Sequence, residues 1–187
     1  MKFVGLTGGI GAGKSAALAA LQDLGAPTLS TDEVVHDLYK TDDVCDAVMK
    51  RFGTLDRDEL AQRAFATQSD REWLEQLLWP RVGERVVAWR QELERSASAP
   101  RAAVVEVPLL FEAGMEDAFD ATIAVVADED TRAERAGARG HQALDERSSR
   151  QLSQQEKAER ANYVVRNDGT EDELRAKLSE ILDMLDR

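Results

Sequence analysis

The sequence predicts an α/β protein, and three observations lead to this fold class. Five short apolar segments, typical of buried strands, alternate with helical patterns along the chain. A glycine-rich segment lies where the first strand gives way to the first helix. A long helical stretch then separates the second strand from the third, which indicates an insertion into the alternating pattern.

The glycine-rich segment, residues 8–15, reads GGIGAGKS and fits the phosphate-binding pattern of Gly, any four residues, Gly, Lys, and Ser or Thr. Glycine lets the backbone adopt positive φ and turn its N–H groups toward an anion. Lys14 would place its charge on the β and γ phosphates of a nucleotide, and the Ser15 hydroxyl would bind Mg²⁺. The residues predicted to bind the nucleotide phosphates are Gly9, Gly11, Ala12, Gly13, Lys14, Ser15 and Ala16.

Composition and charge exclude several classes of protein. The net charge of −12 argues against a nucleic-acid partner, because a phosphate backbone demands a basic surface. The single cysteine, Cys45, excludes an internal disulfide and favours a reducing compartment. No run approaches the roughly 18 apolar residues of a membrane helix, and the first residues show no secretory signal pattern. We therefore expect a cytoplasmic, monomeric enzyme.

The first part of the chain predicts two strands, each followed by a helix. Residues 2–6 are apolar on both faces and indicate a buried central strand. Residues 14–24 form a helix rich in Ala and Leu, and Gly25 is a suitable stop. Residues 27–29 form a short second strand, and a helix follows over residues 33–39.

Asp32 lies between that second strand and its helix, and two roles fit the position. As a helix cap, its carboxylate would accept hydrogen bonds from backbone N–H groups in the first turn. At the carboxyl edge of the sheet, where open α/β proteins bind ligands, it would accept the proton of a hydroxyl that attacks the γ-phosphate. The residues themselves leave both roles open.

Residues 41–97 predict helices throughout. Val44, Val48 and Phe52 recur at a spacing of four, and similar apolar stripes lie on both sides of Pro80. Such stripes usually belong to a core, yet the segment is longer than an ordinary crossover between strands. We therefore predict a helical, substrate-binding insertion that the loop over residues 96–100 closes.

Three further strands follow, over residues 102–107, 121–127 and 163–165, and a helix over residues 171–185 closes the chain. Glu106 is the carboxylate inside the third strand, where an acid that supports Mg²⁺ is expected and Asp is the usual residue.

The segment between the fourth and fifth strands, about residues 128–160, is charged and predicted to be helical. Arg132, Arg135 and Arg139 share one helix face. They form either a solvated surface or a mobile lid whose arginines close over a triphosphate. We favour the lid because a phosphate loop lies upstream, and we favour Arg139 as its catalytic arginine because it precedes Gly140, a suitable hinge.

Several segments, taken in order, resemble the dephospho-coenzyme A kinase family. They are residues 6–15 (LTGGIGAGKS), 30–32 (STD), 107–112 (VPLLFE), 147–151 (RSSRQ) and 167–169 (NDG). The resemblance extends over nearly the whole chain, and the first segment together with VPLLFE makes it specific.

The resemblance implies a P-loop kinase fold: a five-stranded parallel sheet flanked by helices, with a helical coenzyme A-binding insertion and a helical lid. It implies phosphorylation of the ribose 3′-hydroxyl of dephospho-coenzyme A by ATP with Mg²⁺, the last step of coenzyme A biosynthesis. By the same resemblance Asp32 is the catalytic base, Lys14 and Ser15 bind phosphate and Mg²⁺, Arg139 is the lid arginine, and Asn167 lies near the adenine.

Three positions depart from the family pattern. Ala16 stands where Thr is common, Trp79 stands where the family has His before Pro, and the loop that follows Gly53 is short. The residues also leave two other functions open. One is a P-loop kinase for a nucleotide, sugar or shikimate-like acceptor, and the other is a nucleotide-dependent switch that changes partners.

Overall fold

The computed structural model describes residues 1–137 and 151–185. Its helices and strands, in chain order, are β1 (Lys2–Gly8), α1 (Lys14–Asp23), β2 (Thr28–Ser30), α2 (Thr31–Leu38), α3 (Asp42–Phe52), α4 (Arg57–Ala66), α5 (Gln68–Arg95), β3 (Ala102–Glu106), β4 (Ala121–Val126), α6 (Glu129–Gly137), α7 (Gln154–Arg160), β5 (Tyr163–Arg166) and α8 (Glu171–Leu185). A short 3₁₀ turn (Glu116–Ala118) precedes β4.

The strands of the described residues form one sheet in the order β2-β3-β1-β4-β5, and every neighbouring pair is parallel. β1 lies in the centre, so its carboxyl end opens between those of β3 and β4. The predicted α/β class and the five-stranded parallel sheet are therefore confirmed. In such sheets ligands bind at the carboxyl ends of the strands.

The chain folds into two compact units. The sheet unit comprises Met1–Ser30 and Leu93–Arg187, and the helical unit comprises Thr31–Glu92. The last helix of the insertion, α5, ends at Arg95, so its last three residues belong to the sheet unit.

The two faces of β1 bury different partners because successive side chains of a strand point to opposite sides. Val4 and Leu6 belong to the apolar core that includes Leu21 of α1 and Leu178 of α8. On the other face, Phe3 stacks on Phe119 with ring centroids 5.1 Å apart. Thr7, on that second face, is fully buried beside the segment that follows β3.

The helical unit has its own apolar contacts. Phe52, at the end of α3, packs edge-on against Trp73 of α5 with ring centroids 5.5 Å apart. The α5 helix continues through Pro80, which has no N–H to donate to the preceding turn. The Arg81 guanidinium donates a hydrogen bond of 2.7 Å to the Leu77 carbonyl in that turn, which satisfies one acceptor beside the proline.

The predicted ends of several elements differ from the observed ones. β1 runs to Gly8, two residues further than predicted, because it continues to pair with β4 at Val125. α2 begins at Thr31, directly after β2 and two residues earlier than predicted, so Asp32 lies within the first turn of the helix. α1 ends at Asp23, since Leu24 and Gly25 form the turn that stops it.

Candidate active site

The phosphate loop begins at the end of β1 and ends in the first turn of α1. Gly13 precedes α1 in a left-handed conformation with φ of 92°, and no side chain caps the helix. The first turn of α1 carries no acidic residue. Its backbone N–H groups and the positive end of its dipole are therefore available to an anion rather than neutralised by the protein.

Two glycines of this loop permit close contacts that no other residue allows. Gly11 has φ of 76°, and a Cβ there would lie 2.7 Å from the Arg132 carbonyl oxygen. A Cβ on Gly13 would lie 2.0 Å from the Asn167 side-chain nitrogen. The glycine pattern is thus required both by the backbone conformation of the loop and by the packing of α6 and the segment after β5 against it.

Lys14 starts α1 and bends back over the loop. Its Nζ donates hydrogen bonds to the carbonyls of Gly8 at 3.1 Å and Gly9 at 3.4 Å, and lies 3.9 Å from Oε1 of Glu106. Its charge therefore lies at the mouth of the loop, at the shared carboxyl edge of β1 and β3.

Glu106 is buried at the end of β3 and is paired in register with Ser30 of β2. The Ser30 hydroxyl donates a 2.8 Å hydrogen bond to Oε2 of Glu106. The carboxylate is thus oriented by a hydroxyl on one oxygen and faces the Lys14 cation with the other. This places an acid beside the phosphate loop, at the strand position where Asp is usual in P-loop enzymes.

The arginines of α6 hold the phosphate loop. Nε of Arg132 donates a 2.9 Å hydrogen bond to the Ile10 carbonyl, and Arg135 donates one of 3.0 Å to the Asn167 carbonyl. The Asn167 side chain in turn donates 2.9 Å to the Ala12 carbonyl. The spacing of the two arginines predicts that they share one helix face, but it does not indicate these acceptors, which are distant in the chain.

A small pocket opens beside the loop, on the side of α6. Its lining is polar and apolar in equal measure and consists of Gly9, Ile10, Glu129, Arg132 and residues 151–155. Asn167 is buried and does not line this pocket; its amide is engaged by the loop backbone. The pocket adjoins the phosphate loop directly.

The α7 helix is fixed against the carboxyl edge of the sheet by two side chains. Gln154 accepts a hydrogen bond from the Ala127 N–H and donates one to the Ala127 carbonyl, both at 2.9 Å. Lys157 is fully buried, and its Nζ lies 2.8 Å from Oε1 of Glu112. This end of the predicted lid segment is therefore packed into the sheet unit, which the charged sequence of the segment did not indicate.

The start of α7 has a reciprocal cap. The Ser153 hydroxyl accepts from the Glu156 N–H, and the Glu156 carboxylate accepts from the Ser153 N–H. Hydrogen bonds from the Ser153 hydroxyl and, next, its N–H hold the pKa of the Glu156 carboxyl below its ordinary value. Both orphan donors at this helix end are satisfied locally.

Most of the other predicted site residues are exposed. Ser15 and Ala16 are exposed in the first turn of α1, beside Lys14. Asp32 is exposed in the first turn of α2, in the helical unit, and its carboxylate makes no hydrogen bond or ion pair within the described residues. Trp79 is exposed on α5. Arg139 lies outside the described residues.

The parallel sheet with a glycine-rich loop after its central strand defines the class of protein: one with the P-loop kinase fold. Solved structures share this fold. The crystal structure of TT1252 from Thermus thermophilus matches with a TM-score of 0.80 and 30% identity over 98% of this chain and 97% of that one. A shikimate kinase from Aquifex aeolicus shares the fold, with a TM-score of 0.53 and 14% identity over 97% and 96% of the two chains.

The family follows from two further comparisons. The family model described as "CoaE: Dephospho-CoA kinase" matches residues 2–173. The dephospho-CoA kinase of Protochlamydia amoebophila is 35% identical over 97% of this chain and 95% of its own length, and that of Nitrobacter winogradskyi is 34% identical over 97% and 94%. The chain belongs to the dephospho-CoA kinase family. It is accordingly a transferase of coenzyme A biosynthesis, and the kinase family implies ATP as its phosphoryl donor.

Of the helices within residues 1–137 and 151–185, none combines the length and the apolar character that a membrane crossing requires.

Proposed function

We propose that the protein transfers the γ-phosphoryl group of ATP to the ribose 3′-hydroxyl of dephospho-coenzyme A, giving coenzyme A and ADP. The observation that carries the proposal is the uncapped N-terminus of α1 behind a left-handed Gly13, with Lys14 at the mouth of the loop. This arrangement suits a polyphosphate, and the chain that contains it belongs to a family of dephospho-CoA kinases.

In this proposal backbone N–H groups of the loop bind the phosphates. They belong to Gly9, Gly11, Ala12, Gly13, Lys14, Ser15 and Ala16. Lys14 exchanges its hydrogen bonds to the Gly8 and Gly9 carbonyls for phosphate oxygens. A charged group in a fixed position beside the transferred phosphoryl stabilises the charge that spreads over it in the transition state. Arg139 adds a second positive charge there, and Asn167 lies near the adenine.

The residues at the loop also fit Mg²⁺. Within the described residues no three His, Cys, Asp or Glu side chains form a ligand set, so the protein offers no complete metal cage there. Mg²⁺ in nucleotide sites needs few protein ligands, because waters and phosphates supply the rest. Ser15 would hold it, with Glu106 in support across the edge of the sheet; when bound, Mg²⁺ neutralises charge on the β and γ phosphates.

Asp32 is proposed as the base that accepts the proton of the 3′-hydroxyl. Its freedom from hydrogen bonds within the described residues supports this role over helix capping, which would engage the carboxylate with backbone N–H groups. The helical insertion, about residues 41–97, is proposed to bind the coenzyme A part of the acceptor. The lid, about residues 128–160, is proposed to close over the triphosphate.

The experiment that tests the proposal is an acceptor screen. The protein is mixed with ATP and Mg²⁺, and ADP release is followed with dephospho-coenzyme A, with shikimate, with a sugar, and without an acceptor. We expect release that depends on dephospho-coenzyme A, with a product phosphorylated at the 3′ position. Equal release without an acceptor would point to a nucleotide-dependent switch, and release with another acceptor would reassign the substrate.

Two expectations about assembly accompany the proposal. We expect a monomer in gel filtration at micromolar concentration. We also expect no retention on immobilised DNA or RNA, because the net charge of −12 opposes binding to a phosphate backbone.

A further inference from the structure

Lys157 stands out because its ammonium group is fully buried and makes polar contacts with three residues. Nζ lies 2.8 Å from Oε1 of Glu112, 2.7 Å from the Pro108 carbonyl and 3.3 Å from the Thr7 hydroxyl. Burying an ammonium group is costly unless its donors are satisfied. Here each of the three N–H donors of the ammonium group has an acceptor, so its burial is compensated and its position is fixed.

The contacts of Lys157 join three separate segments. Thr7 belongs to β1 and immediately precedes the phosphate loop, Pro108 and Glu112 follow β3, and Lys157 itself lies on α7. The Thr7 hydroxyl also donates a 3.2 Å hydrogen bond to the Pro108 carbonyl, so Thr7 and Lys157 share one acceptor. The last residue before the loop is thereby fixed to the segment after β3.

The same helix is anchored a second time, one turn earlier. Gln154 holds both backbone groups of Ala127 at the end of β4, and its Cγ would lie 3.0 Å from a Cβ on Gly9. Residues 154 and 157 share one helix face. One face of α7 therefore contacts the ends of β1 and β4 and the start of the phosphate loop.

We propose that Lys157 is a positioning residue for phosphate binding: through Thr7 it sets where Gly8 and the loop behind it begin. The inference rests on the proposed nucleotide role of the loop. Lys157 touches no reacting atom, so its effect is geometric. A displacement of catalytic or binding groups by about 1 Å can cost about a hundredfold in rate.

The chain provides a matched control on the same helix. Arg160 also ties α7 to the segment after β3, through Glu116 and the Phe111 ring, whose centroid lies 4.9 Å from its guanidinium carbon. Arg160 is partly exposed and, within the described residues, forms no hydrogen bond or ion pair with β1. Lys157→Met removes the hydrogen bond from α7 to Thr7. Arg160→Met removes the ion pair of the same helix with Glu116 and leaves the hydrogen bond to Thr7 in place.

The test measures ATP binding by titration calorimetry without an acceptor, on variants whose folded state is verified by circular dichroism. We expect Lys157→Met to weaken ATP binding by about tenfold and Arg160→Met by less than about twofold. Equal ATP affinity of folded Lys157→Met and the unchanged protein would overturn the inference. Failure to phosphorylate dephospho-coenzyme A would count against the proposed function instead, because this readout needs no acceptor.

A second pair of variants decides the matter if Lys157→Met does not fold. Thr7→Val removes the hydroxyl at nearly constant volume, and Thr7→Ser retains it. We expect Thr7→Val to weaken ATP binding several times more than Thr7→Ser, by about fivefold against about twofold or less. Equal ATP affinity of the two Thr7 variants would overturn the inference as well.

Discussion

The sheet unit and the helical unit differ in where their charged side chains lie, among the residues that the structure describes. In the sheet unit, Lys157, Thr7 and Glu106 are buried at the carboxyl ends of the strands. In the helical unit, the ion pair of Arg51 with Asp70 lies at the surface, with side-chain exposures of 41% and 24%. Burying charge opposes folding, whereas surface pairs contribute little either way. Buried charge is therefore concentrated where an anion is expected to bind.

The helical unit is stabilised mainly by its apolar residues. Its buried residues are mainly apolar, and they include Val44, Val48, Phe52, Leu60 and Leu74. Burial of such side chains is the main favourable contribution to folding. The comparison thus predicts that polar substitutions in the sheet unit affect chemistry, whereas apolar truncations in the helical unit affect stability.

The largest expected effect belongs to Lys14→Ala. Loss of the positive charge at the loop should lower kcat/KM for ATP by about a thousandfold, or about 4 kcal/mol, and weaken nucleotide binding. The measurement is ADP release at varied ATP concentration, together with a binding titration. Lys40→Ala in the helical unit, an exposed lysine paired with Asp37, serves as the control and should leave both unchanged. Undiminished ATP affinity in Lys14→Ala would contradict the phosphate role.

A stability change of about 3 kcal/mol is expected for Phe52→Ala, because a buried aromatic ring is lost and a cavity remains beside Trp73. Denaturant unfolding measures it. The matched control is Phe65→Ala in the same unit, where the ring is 44% exposed and the loss should stay below about 1 kcal/mol. Equal losses at the two positions would show that the helical unit does not depend on its apolar core.

A smaller effect, on turnover alone, is expected for Asp32→Asn. Removal of the proposed base should lower kcat by about a hundredfold while ATP affinity is retained. Asp37→Asn, on the same helix, is the control, since the Asp37 carboxylate pairs with Lys40. Nearly unchanged turnover in Asp32→Asn would remove Asp32 from the mechanism.

The smallest effect concerns pH. A hydrogen bond from the Thr67 hydroxyl and, next, one from Arg51 hold the pKa of the Asp70 carboxyl below its ordinary value. The stabilisation of the folded state by the ionised Asp70 carboxylate is therefore complete above its unfolded-state pKa of about 4. It is lost as the pH falls through the lower pKa that this carboxyl has in the folded state. The melting temperature of Asp70→Asn should lie slightly below that of the unchanged protein at pH 7, and the gap should close in acid. A difference in melting temperature that grows in acid would show that the ionised Asp70 carboxylate does not stabilise the folded state.

The parts of the fold that the sequence predicts are those with local signals. The apolar runs of β1 and β3 show no polar face, which indicates a sheet covered on both sides. The glycine pattern after β1 predicts a phosphate loop, because Gly11 and Gly13 are needed for positive φ. These features depend on residues that are neighbours in the chain.

The parts that the sequence does not predict depend on distant partners. Lys157 lies in a charged helical stretch and looks like a solvated surface residue, yet its partner Thr7 is 150 positions away. Arg132 and Arg135 share a helix face by their spacing, but their acceptors, the carbonyls of Ile10 and Asn167, cannot be read from that spacing. Helical periodicity states which residues share a face and not what covers it.

The hydrogen bond between Asn167 and the Ala12 carbonyl has a consequence for how the molecule is made. The glycine turn is synthesised before the side chain that supports it, which follows 155 positions later in the chain. Shortened chains that stop ahead of β5 would contain the complete glycine-rich segment and still lack the side chain that holds its Ala12 carbonyl.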